Sequence, residues 1–116
     1  MTMTMTREQF MQAFAKERAD YGRSLGGRIA GMQLLWQAVC AGAAARDDLE
    51  RLERTAHSLA GSGPLFGYDD LGLQARLLET DLHRLVAEGA AVPANRERAA
   101  IRDRLAVLKR CIRENQ

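Results

Sequence analysis

The sequence predicts an all-α protein, an antiparallel up-down four-helix bundle with a short N-terminal capping helix. Four long segments carry apolar residues at the i, i+3, i+4 and i+7 spacing of amphipathic helices, and we find no period-two alternation and no internal repeat. The segment joining the last two helices, Gly89 to Val92, is short, which favours antiparallel neighbours. A chain of 116 residues accommodates one domain.

The short capping helix is predicted to begin at Thr6. Thr6 and Gln9 have the spacing of a capping box, in which each residue satisfies a backbone amide of the other. The apolar face formed by Phe10, Met11 and Phe14 is narrow, so we expect this helix to lie across the end of the bundle. Residues 1–5 lack helical periodicity and are expected to fray, which leaves residues 6–116 as the domain.

Four glycines interrupt the segment over residues 21–31 and predict a kink or a close helix contact. An apolar stripe nevertheless continues through it to a helix end near Gly42. This stripe consists of Leu25, Ile29, Met32, Trp36 and Val39. We therefore predict a second helix, separate from the capping helix.

Acidic residues open the next two helices, where the positive end of the helix dipole favours them. They are Asp47-Asp48 for one helix and Asp69-Asp70 for the other. We expect Pro64 to bend or end the first of these helices within a turn, and Gly67 to cap it in a left-handed conformation. Gly89 is expected to end the second. The core positions of the last helix are Ile101, Leu105, Leu108 and Ile112.

Charge and composition exclude several function classes. The chain has 17 basic and 15 acidic residues, a net charge of +2, and no dense basic stripe that would indicate nucleic-acid binding. No apolar run approaches the ~20 residues of a membrane span, and the N-terminus does not resemble a signal peptide. Cys40 and Cys111 occupy apolar helical positions and are expected to be buried free thiols in a reducing compartment. These features predict a cytoplasmic protein.

Packing of the hydrophobic core does not explain why a histidine occupies position 57. At about 100° per residue, His57 lies roughly 120° from the centre of its helix's apolar stripe, so we predict that the imidazole is exposed. Gly61, at i+4, leaves open the place where a side chain would crowd the ring. Glycine inside a helix costs about 1 kcal/mol relative to alanine. Gly61 and Gly63 therefore require a packing reason or the close approach of a partner.

Other roles for His57 are weaker. The second histidine, His83, lies 26 positions away and the cysteines occupy apolar stripes, so no tetrahedral metal site is predicted. Ser58 and Ser62 adjoin His57, but no acid is obviously aimed at the imidazole, which argues against serine catalysis. His83 itself has no small neighbour to clear its face, and we interpret it as structural or solvated. The remaining role is that of a nucleophile, since imidazole is largely neutral at cellular pH.

Residues 57–67 read His-x-Leu-x-Gly-Ser-x-x-x-Phe-Gly and are followed by a leucine-rich amphipathic run. This pattern resembles the phosphoacceptor motif of histidine-containing phosphotransfer (HPt) domains of bacterial phosphorelays, and the helical setting matches from about Thr6 onward. The resemblance implies a four-helix bundle in which Nε2 of His57 accepts a phosphoryl group from a receiver-domain aspartate or a kinase and passes it on.

Two positions depart from the family pattern. HPt domains often carry lysine where this chain has Ala60, and a small residue is usual where it has Pro64. We hypothesise that Arg54, or else Arg23 or Arg28 of the preceding helix, contacts the phosphoryl group in place of the lysine.

The partner is expected to dock on the helix face around His57. The residues predicted to bind it are Arg54, Ser58, Gly61, Ser62 and Pro64. Leu65 and Phe66 are interpreted instead as a core plug and a helix contact.

The resemblance implies a carrier without turnover of its own, and not an enzyme. Its partners would be a response-regulator receiver domain and a sensor histidine kinase of the hybrid or the simple type. Mg²⁺ would be bound by the receiver, with no cofactor on this chain. An alternative is a docking module of the same fold that binds a receiver or an enzyme without phosphotransfer. A third interpretation is a helical scaffold in which the motif occurs by chance.

Overall fold

The computed structural model describes residues 4–42, 45–89 and 92–114. It contains four helices: α1 (Arg7–Ala41), α2 (Ala45–Leu65), α3 (Asp69–Glu88) and α4 (Asn95–Glu114). The part of the chain that it describes contains no strand, so the predicted all-α class is confirmed. Residues 1–3, for which fraying was predicted, and residues 90 and 91 of the predicted loop lie outside the described residues.

α1 is one continuous helix of 35 residues, which corrects the prediction of a separate capping helix. The capping box at its start is confirmed, since Gln9 N donates to Thr6 Oγ1 at 3.1 Å and Thr6 N donates to Gln9 Oε1 at 2.9 Å. The glycine-rich part stays helical because it also carries buried Leu25 and Ile29. Burying one such side chain contributes about 1.5–3 kcal/mol, which offsets the cost of about 1 kcal/mol for each glycine.

The core lies between the four helices. Contacts join α1 to α2, α2 to α3, α3 to α4 and α4 to α1, and those between α2 and α3 are the most extensive. The largest fully buried side chains are Leu25, Ile29, Met32, Val39, Leu52, Leu59, Leu71, Leu78, Leu82, Ile101, Leu105 and Leu108. The stripes predicted from helical spacing therefore form the core.

The predicted helix ends are also confirmed. α2 ends at Leu65, one residue after Pro64. Gly67 then adopts the left-handed conformation with φ of 88°, and Gly89 does so after α3 with φ of 69°. Tyr68 N donates to the carbonyl oxygen of Gly63 at 2.8 Å, which closes the turn between α2 and α3.

Leu65 and Phe66 differ in their surroundings. Phe66 is half-buried and stacks on Tyr21, with ring centroids 4.6 Å apart, and on Phe14 at 6.0 Å. The interpretation of Phe66 as a helix contact is confirmed. Leu65 is 65% exposed, so its assignment to the core was wrong. It follows buried Gly63 by two residues, about 200° around the helix, and therefore lies on the opposite face.

Both cysteines are free thiols, with Cys111 buried and Cys40 half-buried. Burial raises the pKa of the Cys111 thiol, and the nearby Asp70 carboxylate adds to this effect. None of the described helices is long and apolar enough to cross a membrane.

Candidate functional site

His57 stands on the solvent side of α2. Its side chain is 78% exposed, whereas its helix neighbours Ala56 and Leu59 are fully buried. The predicted exposure of the imidazole is therefore confirmed. The ring is open to a molecule approaching from solvent.

Glu79 of α3 holds the His57 ring. Its Oε2 lies 2.5 Å from His57 Nδ1, and its own side chain is only 25% exposed. Because a carboxylate oxygen accepts hydrogen bonds, Nδ1 carries the proton and the lone pair of the neutral ring is on Nε2. None of the described residues forms a hydrogen bond with that Nε2. Glu79 was not among the predicted site residues, because no acid close in sequence is aimed at the imidazole.

Arginines gather on the other side of His57, where α2 contacts α1. Arg28, Arg51 and Arg54, together with Thr55 and Ser58, line a shallow concavity of about 420 Å³. Within the described residues, none of these three guanidinium groups forms an ion pair with a carboxylate. Thus two of the candidate basic residues, Arg28 and Arg54, lie around the same surface. The third, Arg23, forms an ion pair with Asp20.

The remaining residues predicted to bind a partner are mostly exposed. Ser58, Gly61 and Pro64 are exposed on α2. Apart from the neighbouring backbone of α2 itself, no described atom lies within 4 Å of where a Cβ of Gly61 would be. Ser62 is half-buried, and its Oγ lies 2.8 Å from the Tyr21 hydroxyl. Since Ser62 Oγ donates to the carbonyl oxygen of Ser58, also at 2.8 Å, the tyrosine is the donor. Ser62 therefore joins α2 to α1 beside the site.

Gly63 has the packing reason that Gly61 lacks. A Cβ on Gly63 would lie 3.0 Å from the carbonyl oxygen of Tyr68 and 3.2 Å from the amide nitrogen of Gly72. Gly63 therefore permits close contact between α2 and the start of α3. The open space at Gly61 is what a docking partner would require.

Ala60, where the family often has lysine, is 6% exposed and belongs to the core. Without a basic group at that position, the arginines on the α1 side of His57 are candidates for contact with phosphoryl oxygens. No group of three or more His, Cys, Asp or Glu residues in the described part of the chain could hold a metal ion.

A model of the Hpt domain family matches residues 6–111, nearly the whole chain. The chain belongs to the Hpt domain family. Hpt domains are phosphocarrier modules of phosphorelays that interact with receiver domains and kinases, and membership implies this general role here. Comparisons with curated proteins and with solved structures gave no significant match.

This Hpt domain contains a sequence signal that could have identified Glu79. Residues 52–59 and 78–85 both read Leu-Glu-x-x-apolar-His-x-Leu, the first around His57 and the second around His83. The prediction that the chain has no internal repeat was therefore wrong for this eight-residue pattern. Within each copy the glutamate precedes the histidine by four residues, so both side chains lie on one helix face.

Proposed function

We propose that this Hpt domain is a phosphorelay carrier that accepts a phosphoryl group on Nε2 of His57 and transfers it to the aspartate of a response regulator. The donor is the aspartyl phosphate of a receiver domain or a sensor histidine kinase, whether or not that kinase is a hybrid. The observation that carries the proposal is the bond between His57 Nδ1 and Glu79, because it leaves the exposed Nε2 with the lone pair.

Phosphoryl transfer to His57 proceeds without the loss of a proton from the imidazole. The Nε2 lone pair of His57 attacks phosphorus, an N–P bond forms, and the bond from phosphorus to the donor's carboxylate oxygen breaks with its electron pair. Nδ1 keeps its proton throughout, so the ring becomes positively charged beside the Glu79 carboxylate. The reverse step delivers the group to a second aspartate. Mg²⁺ belongs to the receiver in this proposal, and the domain has no turnover of its own.

The proposed docking surface is the exposed face of α2 around His57. It comprises Arg54, Ser58, Gly61, Ser62 and Pro64, of which Ser62 contributes indirectly by fixing α2 against Tyr21. Gly61 provides the open space beside the ring that close approach of another protein requires.

Arg54 is proposed to contact the phosphoryl oxygens in place of the family's lysine, supported by Arg28 and Arg51 of the same concavity. Guanidinium groups suit this role because they present paired donors to phosphate. An Arg54→Ala variant is expected to slow transfer or shorten the phosphohistidine lifetime. Arg102→Ala on α4 is the control, since Arg102 lies on a different helix and is paired with Asp103 at 3.6 Å. If Arg54→Ala changes neither the phosphotransfer rate nor the phosphohistidine lifetime, Arg54 does not contact the phosphoryl group.

We infer two further properties. An antiparallel up-down arrangement of all four helices is supported by contacts between successive helices and by the pairing of α2 residues with α3 residues in reverse order. A reducing compartment, the cytoplasm, is supported by the free thiols of Cys40 and Cys111.

The carrier is tested by incubating the domain with a panel of phosphorylated receiver domains. We expect an acid-labile, alkali-stable phosphate on the wild type and none on His57→Gln. A docking module of the same fold would bind a receiver without acquiring this label, and a scaffold would do neither. Failure of every receiver and of the small donor phosphoramidate to label His57 would contradict the proposal.

A further inference from the structure

The other histidine of the domain, His83, has nearly the same surroundings as His57. Its Nδ1 lies 2.6 Å from Oε1 of Glu53, compared with 2.5 Å between His57 and Glu79. The His83 side chain is 73% exposed and its glutamate 24%, compared with 78% and 25% in the first pair. The two sites therefore present the same groups, in the same contact, at the same depth.

This likeness follows from the two Leu-Glu-x-x-apolar-His-x-Leu segments, on α2 and α3. Glu53 of α2 pairs with His83 of α3, and His57 pairs with Glu79, so residue numbers rise along one helix as they fall along the other. Each glutamate therefore meets the histidine of the other segment. A local two-fold axis between α2 and α3 relates the two pairs. Because they are four residues apart on each helix, they lie about 6 Å apart along the helices at 1.5 Å per residue.

The chemistry available at His57 is therefore also available at His83. The Glu53 carboxylate accepts the Nδ1 proton, which leaves the lone pair of the neutral ring on Nε2. No described residue forms a hydrogen bond with Nε2 of His83. We propose that His83 is a second phosphoryl acceptor, with Glu53 as the residue that orients its ring.

The phosphoryl donor for His83 is a molecule in which phosphorus carries a good leaving group, either an acyl phosphate or a phosphoramidate. Nε2 attacks phosphorus and the N–P bond forms. The bond from phosphorus to the carboxylate oxygen or to the amine nitrogen breaks, and the leaving group takes the electron pair. Nδ1 keeps its proton beside Glu53.

The two sites differ in what flanks the ring. At i+4, His57 has Gly61 whereas His83 has Ala87, and at i−3 His57 has Arg54 whereas His83 has Thr80. The basic residue next to His83 is Arg84, and its guanidinium contacts Asp81 at 3.5 Å. A small donor meets little hindrance at either ring. For a receiver domain, His57 offers the open space at Gly61 and arginines that form no ion pair with a described carboxylate, whereas His83 has Ala87 and the paired Arg84. We therefore expect His83 to accept from small donors at a rate comparable with His57, and from receivers more slowly.

The test uses potassium phosphoramidate as the small donor and the full chain as acceptor. Phosphates per chain are counted by intact mass spectrometry at alkaline pH, in the wild type, His57→Gln, His83→Gln and the double variant. We expect more than one phosphate on the wild type, one on each single variant and none on the double variant. If His57→Gln takes up no phosphate while His83→Gln takes up one, the inference is wrong and the proposed function stands.

Crossed glutamate variants test the orienting role. Glu53→Gln is expected to slow labelling of His83 about tenfold and to leave His57 unchanged, and Glu79→Gln to do the reverse. Circular dichroism and thermal unfolding verify that the variants remain folded. Equal labelling of His83 in both variants would overturn the role of Glu53. A parallel experiment with a phosphorylated receiver domain distinguishes the two sources of the phosphoryl group. If phosphoramidate labels His83 and the receiver does not, His83 accepts from small-molecule donors alone.

Discussion

Gly72, in the first turn of α3, makes room for the ring of Pro64 at the end of α2. A Cβ on Gly72 would lie 2.5 Å from Cδ and 2.6 Å from Cγ of that proline. Pro64 occupies a position where the family usually has a small residue. Here the small residue that permits close helix packing is Gly72 on α3, and not a residue on α2. The contact between Gly72 and Pro64 fixes the end of the helix that carries His57.

We predict that Gly72→Ala destabilises the domain by about 1–3 kcal/mol, the usual range for overpacking. The rigid proline ring cannot move aside, so the clash outweighs the better helix propensity of alanine. Urea unfolding measures the change. Pro64→Ala should restore much of the loss in the double variant, because it removes the atoms that the new methyl group meets. A double variant as unstable as the sum of the two single ones would contradict this relationship.

Gly61→Ala is predicted to raise the free energy of unfolding by about 1 kcal/mol and yet to slow phosphotransfer from a receiver. No atom within 4 Å opposes the added methyl group, and alanine is the better helix former. The methyl group would, however, stand beside the His57 ring where the partner approaches.

The matched control for Gly61→Ala is Gly26→Ala on α1, where a Cβ would also have open space. It should stabilise the domain similarly without changing transfer. Phosphotransfer rates that are equal in the two alanine variants would show that Gly61 does not serve partner access.

Glu79→Gln is predicted to reduce the rate of phosphotransfer to His57 by about 10- to 100-fold, the range found when the carboxylate that orients a metal-binding histidine is removed. The amide can present either a donor or an acceptor to Nδ1, so it no longer fixes one tautomer of the ring. Nitrogen NMR of the imidazole should show a shift from a single tautomer toward a mixture. An unchanged tautomer ratio would mean that another group orients the ring.

Tyr21→Phe is predicted to destabilise the domain by about 1 kcal/mol. The Tyr21 hydroxyl donates to Ser62 Oγ at 2.8 Å in a part-buried position, and the variant keeps the ring that stacks on Phe66. Thermal unfolding of Tyr21→Phe, Ser62→Ala and the double variant isolates the bond. Additive losses in the double variant would contradict a direct interaction.

The two thiols should react at different rates with iodoacetamide. Burial limits access to Cys111 and raises the pKa of its thiol, so less of the reactive thiolate is present at pH 8 than for an ordinary cysteine. Cys40 is half-buried and is expected to be alkylated first. Labelling of Cys111 should increase as the pH rises above about 9, the region in which ordinary thiols have already ionised. Peptide mapping by mass spectrometry measures the order in which the two cysteines are alkylated. Faster labelling of Cys111 than of Cys40 would contradict the prediction.

Local sequence determined the helices and the exposure of His57. The apolar stripe places Ala56 and Leu59 inside and therefore turns His57 outward. Gly67 and Gly89 end their helices because left-handed backbone conformations favour glycine. These features depend on residues within a turn or two of one another, so helical periodicity alone predicts them.

Only the tertiary structure decided which group orients the imidazole. Glu79 is 22 residues from His57, and the two meet because α2 and α3 pack in one register, with Gly63 and Gly72 permitting close contact where the helices join. The continuity of α1 through its glycines was likewise decided by burial against the other helices. Helix propensity and periodicity report on one helix at a time, whereas the register between helices depends on side chains from both.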